Sequence, residues 1–160
     1  MIDPTENAFN STEYFARVLN HQHRFIHETI AQIKELLRYK FHSESGAQDQ
    51  IKTVRSLLLY LTHQLEYHFR TEEDHGIFPQ ILQQLPQHEK KVEAIFKEHP
   101  ELLEEIGSIS NFTELLYKNE EVSFASLVER FKHFEQRLTK HDEKETHLVL
   151  DIYNLDIGGN

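Results

Sequence analysis

The chain has 160 residues, of which 38% are apolar and 28% are charged, and its formal net charge is −10. This size predicts a single domain over residues 1–160 with its own core. The negative charge argues against a nucleic-acid partner, because such a surface needs a basic patch. No apolar run reaches the length of a membrane-spanning helix, and the first residues show no secretory-signal pattern, so we expect a cytoplasmic protein without a membrane partner.

Hydrophobic residues spaced by three and four predict four amphipathic helices. The first spans 11–42, with Ser11 as its expected N-cap. The second spans 48–84, and Gly76 and Pro79 are expected to kink or end it. The third spans 87–107, and a long connection leads to the fourth at 123–155. Such helices favour an all-α, up-down-up-down four-helix bundle.

Histidine and cysteine have unusual counts. Cysteine is absent, which excludes disulfides, thiolate metal ligands and cysteine nucleophiles. Histidine occurs 12 times, which fits a pH-responsive surface, a chance enrichment or a metal site. The positions favour the metal site, because every predicted helix has one histidine in its apolar stripe. In the second and fourth helices a glutamate follows four residues later. These six residues are His23, His68, Glu72, His99, His141 and Glu145.

Two carboxylates in apolar stripes need a compensating positive charge. Burying one costs several kcal/mol unless it is paired or bound to a cation, and the basic residues lie outside the stripes. A histidine and a glutamate one helical turn apart can share a metal, and the second carboxylate oxygen can reach another. The pattern therefore predicts a two-metal centre in the core, with ligands that suit iron, manganese or zinc.

Several histidines leave alternatives open. A single histidine on an apolar face is more often a packed core residue than a ligand, so the ordered set of six is what favours metal. His27, one turn after His23, replaces it if the helix is rotated. His75, in phase beyond Glu72, is an extra ligand, a donor to a ligand or a boundary residue. The remaining histidines are expected at the surface: His21, His42, His63, His88, His133 and His147.

The same segments resemble the hemerythrin-like HHE cation-binding domains. The resemblance spans almost the whole chain and rests on the ordered set of segments Asn20–Ile26, His68–Glu73, Ile77–Pro79, Glu98–Leu102 and His141–Glu145. It implies a four-helix bundle that holds two iron ions with an oxo or hydroxo bridge at the six positions above. Glu72 and Glu145 are the implied bridging carboxylates.

Three departures from the family pattern bear on this reading. Classical oxygen-carrying hemerythrins have a further histidine where this chain has Ile95. Relatives linked to nitric-oxide stress and iron–sulfur cluster repair often carry an N-terminal segment with cysteine, which this chain lacks. The interval from Glu72 to Phe78 is one residue longer than usual, which leaves Glu73 as an alternative to Glu72.

The resemblance implies a non-haem di-iron protein that binds or senses O₂ or NO at an open coordination position, rather than a turnover enzyme. The alternatives are an iron donor or repair factor in nitrosative or oxidative stress, and a metal-free structural bundle. A ferritin-like centre is disfavoured, because it needs Glu-x-x-His on two helices and only Glu72–His75 fits. The sequence gives no oligomeric state.

Overall fold

The computed structural model describes residues 4–39, 44–118 and 122–158, and within them the regular structure is entirely helical. The elements in chain order are α1 (Pro4–Arg38), α2 (Glu44–Asp74), the short α3 (Ile77–Gln84), a 3-10 turn (Pro86–His88), α4 (Glu89–Tyr117) and α5 (Phe124–Gly158). Side-chain environments are described for 13–39, 45–118 and 122–152. None of the helices in these ranges is both long enough and apolar enough to cross a membrane.

The four long helices form a closed ring of neighbours. α2 packs between α1 and α4, and α4 packs between α2 and α5. An ion pair of 2.7 Å between Lys34 Nζ and Glu135 Oε1 links α5 back to α1. The fold is therefore the all-α, up-down-up-down four-helix bundle that the sequence predicts.

The predicted second helix is two elements. α2 ends at Asp74 and α3 begins at Ile77, so the prediction of one helix over 48–84 is wrong, although the break lies where glycine and proline were expected to cause one. Gly76 has a φ of +87°, a left-handed conformation that costs a residue with a Cβ free energy. Pro79 lies in the first turn of α3, where its missing N–H breaks no helical hydrogen bond.

The prediction that the third helix ends near residue 107 is also wrong. α4 continues to Tyr117 and takes in most of the predicted connection. The apolar stripe stays in phase through Ile109, Phe112 and Leu116, which are all buried. Their burial outweighs the roughly 1 kcal/mol that Gly107 costs within a helix.

The bounds of the outer helices differ by a few residues from the predictions. α1 begins at Pro4, so Ser11 lies inside the helix and is not its N-cap. The predicted end of this helix at 42 lies outside the described residues. α5 runs over Phe124–Gly158 and ends three residues beyond the prediction.

The apolar interior is divided into two clusters. The large cluster contains buried residues of all four long helices, among them Ile33, Leu61, Leu102 and Phe134. The small cluster joins α3 to α4 and α5 and consists of Phe78, Ile81, Val92, Ile95, Leu148 and Ile152. Between them lies a band of buried polar side chains, which we name the polar layer; its buried members are His68, Glu72, His99, His141 and Glu145.

Candidate metal centre

The polar layer contains five of the six predicted ligands, and the sixth, His23, lies half-buried beside it. Helical phase explains their position, because each lies three or four residues from a buried apolar residue of its own helix. His99, for example, lies between Ile95 of the small cluster and Leu102 of the large cluster.

Nitrogen and oxygen atoms from three helices converge in this layer. Glu72 Oε1 lies 3.0 Å from His68 Nε2, and Glu72 Oε2 lies 3.4 Å from His99 Nε2. Glu145 Oε1 lies 2.9 Å from His141 Nε2 and 3.9 Å from His99 Nε2. Each carboxylate therefore faces imidazoles of two different helices.

His23 reaches the layer from α1. Its ring centroid lies 4.5 Å from that of His68. His23, His68 and Glu72 form one set whose ligand atoms all lie within 4.8 Å of one another, and a second set with this property shares Glu72. The second set consists of Glu72, His99, His141 and Glu145. Glu72 therefore belongs to both sets, whereas Glu145 belongs to the second set alone.

Four buried ligand atoms in the layer lie 2.9 to 3.9 Å from one another, but none makes a hydrogen bond of acceptable geometry to a described residue. They are Glu72 Oε2, His99 Nε2, His141 Nε2 and Glu145 Oε1. Buried polar atoms in folded proteins are nearly always satisfied, so four such atoms facing one another favour a shared partner. A cation is the partner that imidazole nitrogen and carboxylate oxygen can bind together, and the residues therefore fit a metal.

Three of the four histidines are held from outside the layer through Nδ1. The acceptors are Gln22 Oε1 for His68, Glu73 Oε1 for His99 and Glu98 Oε2 for His141, at 2.9, 2.6 and 2.9 Å. An amide or carboxylate oxygen accepts, so Nδ1 donates its proton and Nε2 faces the carboxylates of the layer. Such contacts fix the ring and raise the basicity of the ligand.

Helical phase does not predict these three acceptors, although each holds a candidate ligand. The sequence leaves Glu73 as an alternative ligand to Glu72; in the structure its side chain is 42% exposed and binds Nδ1 of His99, on the side of the ring away from the layer. Glu72 is therefore the residue of this pair in the layer. Each acceptor is adjacent in sequence to a predicted ligand of its own helix and contacts a histidine of the next long helix. This adjacency to a predicted ligand is the sequence signal for the acceptors.

An aromatic ring closes the layer toward the large cluster. Phe69 is buried and stacks parallel on His99, with 4.1 Å between ring centroids. It also meets the ring of His141 edge-on at 5.5 Å. This apolar wall excludes water from the ligands and strengthens their electrostatic interactions.

Histidines and glutamates of the layer shift one another's pKa values toward the charged forms. Burial alone would raise the pKa of Glu72, but the imidazoles of His68 and His99 outweigh it and hold that pKa far below its usual range. Burial alone would lower the pKa of His99, but the carboxylates of Glu145, Glu72 and Glu73 outweigh it and raise that pKa to about 9. His141 has a raised pKa for the same reason, with Glu145 opposing burial.

The α1 side of the layer differs. Burial and the neighbouring His68 lower the pKa of His23. His27, the alternative to His23, is 59% exposed and lies outside the layer, with its Nε2 3.9 Å from Asp142 Oδ2. Burial and the nearby carboxylate of Glu145 raise the pKa of Asp142 to about 7.

The other histidines lie away from the candidate ligand sets. His75 is exposed and stacks on Phe15 at 4.4 Å between centroids, as a boundary residue does. His88 was expected at the surface but is buried; it lies in the 3-10 turn, where helical phase does not apply. His42 lies outside the described residues. The exposed ones are His21, His63, His133 and His147.

Comparison with known families gives a match over most of the chain. The Hemerythrin HHE cation binding domain matches residues 15–153, a range that includes all six predicted ligands. The chain belongs to this family. Neither curated proteins nor solved structures give a significant match. Membership in the HHE family and the buried histidine and glutamate groups agree on the binding of a cation.

Proposed function

We propose that this HHE protein holds two iron ions in the polar layer and binds or senses O₂ or NO at an open coordination position. The observation that carries the proposal is the pair of ligand sets that share Glu72. A single metal would need only one of these sets, whereas a shared carboxylate between two sets suits a pair of ions.

The residues divide between the two positions as follows. His23, His68 and Glu72 would hold one ion, and Glu72, His99, His141 and Glu145 would hold the other. Iron with imidazole and carboxylate ligands, and with a position left open, supplies affinity for O₂ or NO. Manganese and zinc suit the same donors, and metal supply then decides which ion is bound.

The protein contributes pre-oriented ligands and an apolar enclosure around them. Gln22, Glu73 and Glu98 hold three imidazoles with Nε2 directed inward, so little rotamer freedom is lost when a metal binds. The large cluster closes one side of the layer through Phe69, and the small cluster closes the other. A small uncharged ligand such as O₂ or NO suits such an apolar enclosure.

The experiment that tests this proposal is elemental analysis of the purified protein after growth in iron-supplemented medium. We expect two irons per chain, and loss of stable two-metal binding in Glu145→Ala. Glu143→Ala is the matched control, because Glu143 is an exposed carboxylate on the same helix. Wild-type iron content in Glu145→Ala would refute the ligand assignment, and a protein without metal would favour the structural bundle.

Exposure to NO or O₂ then tests the second part of the proposal. We expect a reversible change in the near-ultraviolet and visible spectrum of the iron-loaded protein. An unchanged spectrum, with iron passing readily to an acceptor, would favour the iron donor instead. The half-buried position of His23 is the observation that keeps this second candidate, because a ligand near the surface allows release.

A further inference from the structure

A third group of potential ligands lies where α1 meets α5, outside the polar layer. His23, His27 and Asp142 each offer a ligand atom, and these atoms all lie within 4.8 Å of one another. His27 is 59% exposed and Asp142 is 24% exposed. We name these three residues the outer triad. Two imidazoles and a carboxylate are a ligand set for a divalent transition-metal ion.

The outer triad is joined to the buried ligands by a shared residue. His23 belongs to the triad and also to the set with His68 and Glu72. Glu72 in turn belongs to the set with His99. The three sets therefore form a series in which each shares one ligand with the next, and exposure falls along it from His27 to the 3% of Glu72.

The position of Asp142 supports a separate site, because its carboxylate faces the other two members of the triad. Gln22, Glu73 and Glu98 each neighbour a predicted ligand in sequence and hold a histidine of the next helix. Asp142 follows His141 and occupies the corresponding place before α1. It makes no hydrogen bond to His23, however, and Nε2 of the exposed His27 lies 3.9 Å from its Oδ2.

We propose that the outer triad is an exchange site for a divalent cation such as Fe²⁺, through which metal reaches and leaves the buried centre by way of His23. The proposal rests on the proposed function. An ion held by the triad would be bound by the exposed His27 and by His23, which also belongs to the buried set. Its transfer to the buried set keeps His23 as a ligand and replaces His27 and Asp142 by His68 and Glu72.

The rate of metal uptake tests this proposal. Metal-free full-length protein is mixed without oxygen with Co²⁺, whose absorption reports ligand binding, and uptake is followed by stopped flow. We expect His27→Gln and Asp142→Asn each to slow uptake about tenfold, because the carboxylate raises the local cation concentration and the imidazole supplies the first ligand. His147→Gln and Glu143→Gln are matched controls, since both residues are exposed on α5.

A second measurement separates this proposal from the di-metal centre. At substoichiometric Co²⁺, proton NMR should show stronger broadening of the His27 ring signals in the wild type than in Asp142→Asn, because an ion at the buried centre alone also lies near His27, and no broadening of those of His147. Equal uptake rates in all variants, or an unaffected His27, would overturn the exchange site. A lower final count in Asp142→Asn with normal uptake in His27→Gln would also overturn it, because Asp142 would then only position His23. Slow uptake in both variants with fewer than two ions in the wild type would refute the di-metal centre and leave the exchange site standing.

Discussion

The two sides of the polar layer use the same residue type in different ways. Toward α4, His99 and His141 are buried, and each donates its Nδ1–H to a glutamate of another helix. Toward α1, His23 is half-buried, and no hydrogen bond to a described residue holds its ring. The side chain is the same on both sides, so the difference in burial and orientation comes from the residues that contact Nδ1 of each ring.

This difference separates two properties of a metal site. Rings that are already oriented lose little freedom on binding, so the α4 side should set the affinity. A ring near solvent without an acceptor can turn between partners, so the α1 side should set the rate of exchange. The following changes test that division in order of expected effect.

The largest effect is expected from His99→Ala compared with His23→Ala. His99→Ala leaves each of the two buried carboxylates with one imidazole partner instead of two and should lower the free energy of unfolding of metal-free protein by about 4 kcal/mol at pH 7. His23→Ala removes a half-buried ring with a lowered pKa and should cost about 1 kcal/mol. Urea denaturation of both variants measures the difference, and equal losses would remove the distinction between the two sides.

A somewhat smaller effect is expected from pH, and it also arises on the α4 side. The pKa of His99 is raised to about 9 in the folded protein from an ordinary value of 6.5. Its stabilising contribution is therefore complete below pH 6.5 and is lost as pH rises through 9, by at most about 3 kcal/mol. Thermal unfolding of metal-free protein between pH 6 and 9 measures this loss. His23→Ala should keep the dependence and His99→Ala should lose most of it.

How far the sequence predicted the site follows from helical geometry. His68 and Glu72 lie in phase with Leu65 and Phe69, and phase is a property of one helix, so sequence alone placed them in the core. The acceptors behind the histidines could not be placed this way, because Glu98 meets His141 across 43 positions of sequence. Such a contact depends on how far one helix is shifted along its neighbour.

The same reasoning covers the fold. Four apolar stripes were enough to predict the bundle. The ends of the helices depend on the balance between the conformational preference of glycine and the burial of the apolar residues that follow it. Gly76 breaks its helix because it adopts a positive φ, whereas Gly107 does not, since buried Ile109 and Phe112 continue the stripe beyond it. A glycine in the sequence does not reveal which of these outcomes packing will favour.

A third change weakens the support of one ligand on the α4 side. Glu98→Gln keeps the shape of the acceptor of His141 but removes its charge. We expect metal affinity to fall about 10-fold to 100-fold, as measured by competition with a chromophoric chelator. Glu93→Gln, an exposed change on the same helix, is the control. An unchanged affinity would show that orientation alone, without the carboxylate charge, is sufficient.

The smallest effect is expected where the support is a neutral amide. Gln22 accepts from His68 Nδ1 and donates through Nε2 to Thr71 Oγ1 at 3.2 Å. Gln22→Ala removes both hydrogen bonds and should weaken metal binding by about 1 kcal/mol, or several-fold. The same chelator competition measures it. A loss as large as that of Glu98→Gln would mean that the charge of the acceptor is unimportant.

The division of the interior into two apolar clusters has a consequence for cooperativity. The small cluster meets the large one across a band of ionisable groups, where direct apolar contact is scarce and mutual stabilisation is weak. Metal bonds to residues of all four long helices would join the two ends of the bundle into one cooperative unit. Amide protons of α3 would then exchange only by global unfolding in the loaded protein, and by separate opening of the small cluster without metal.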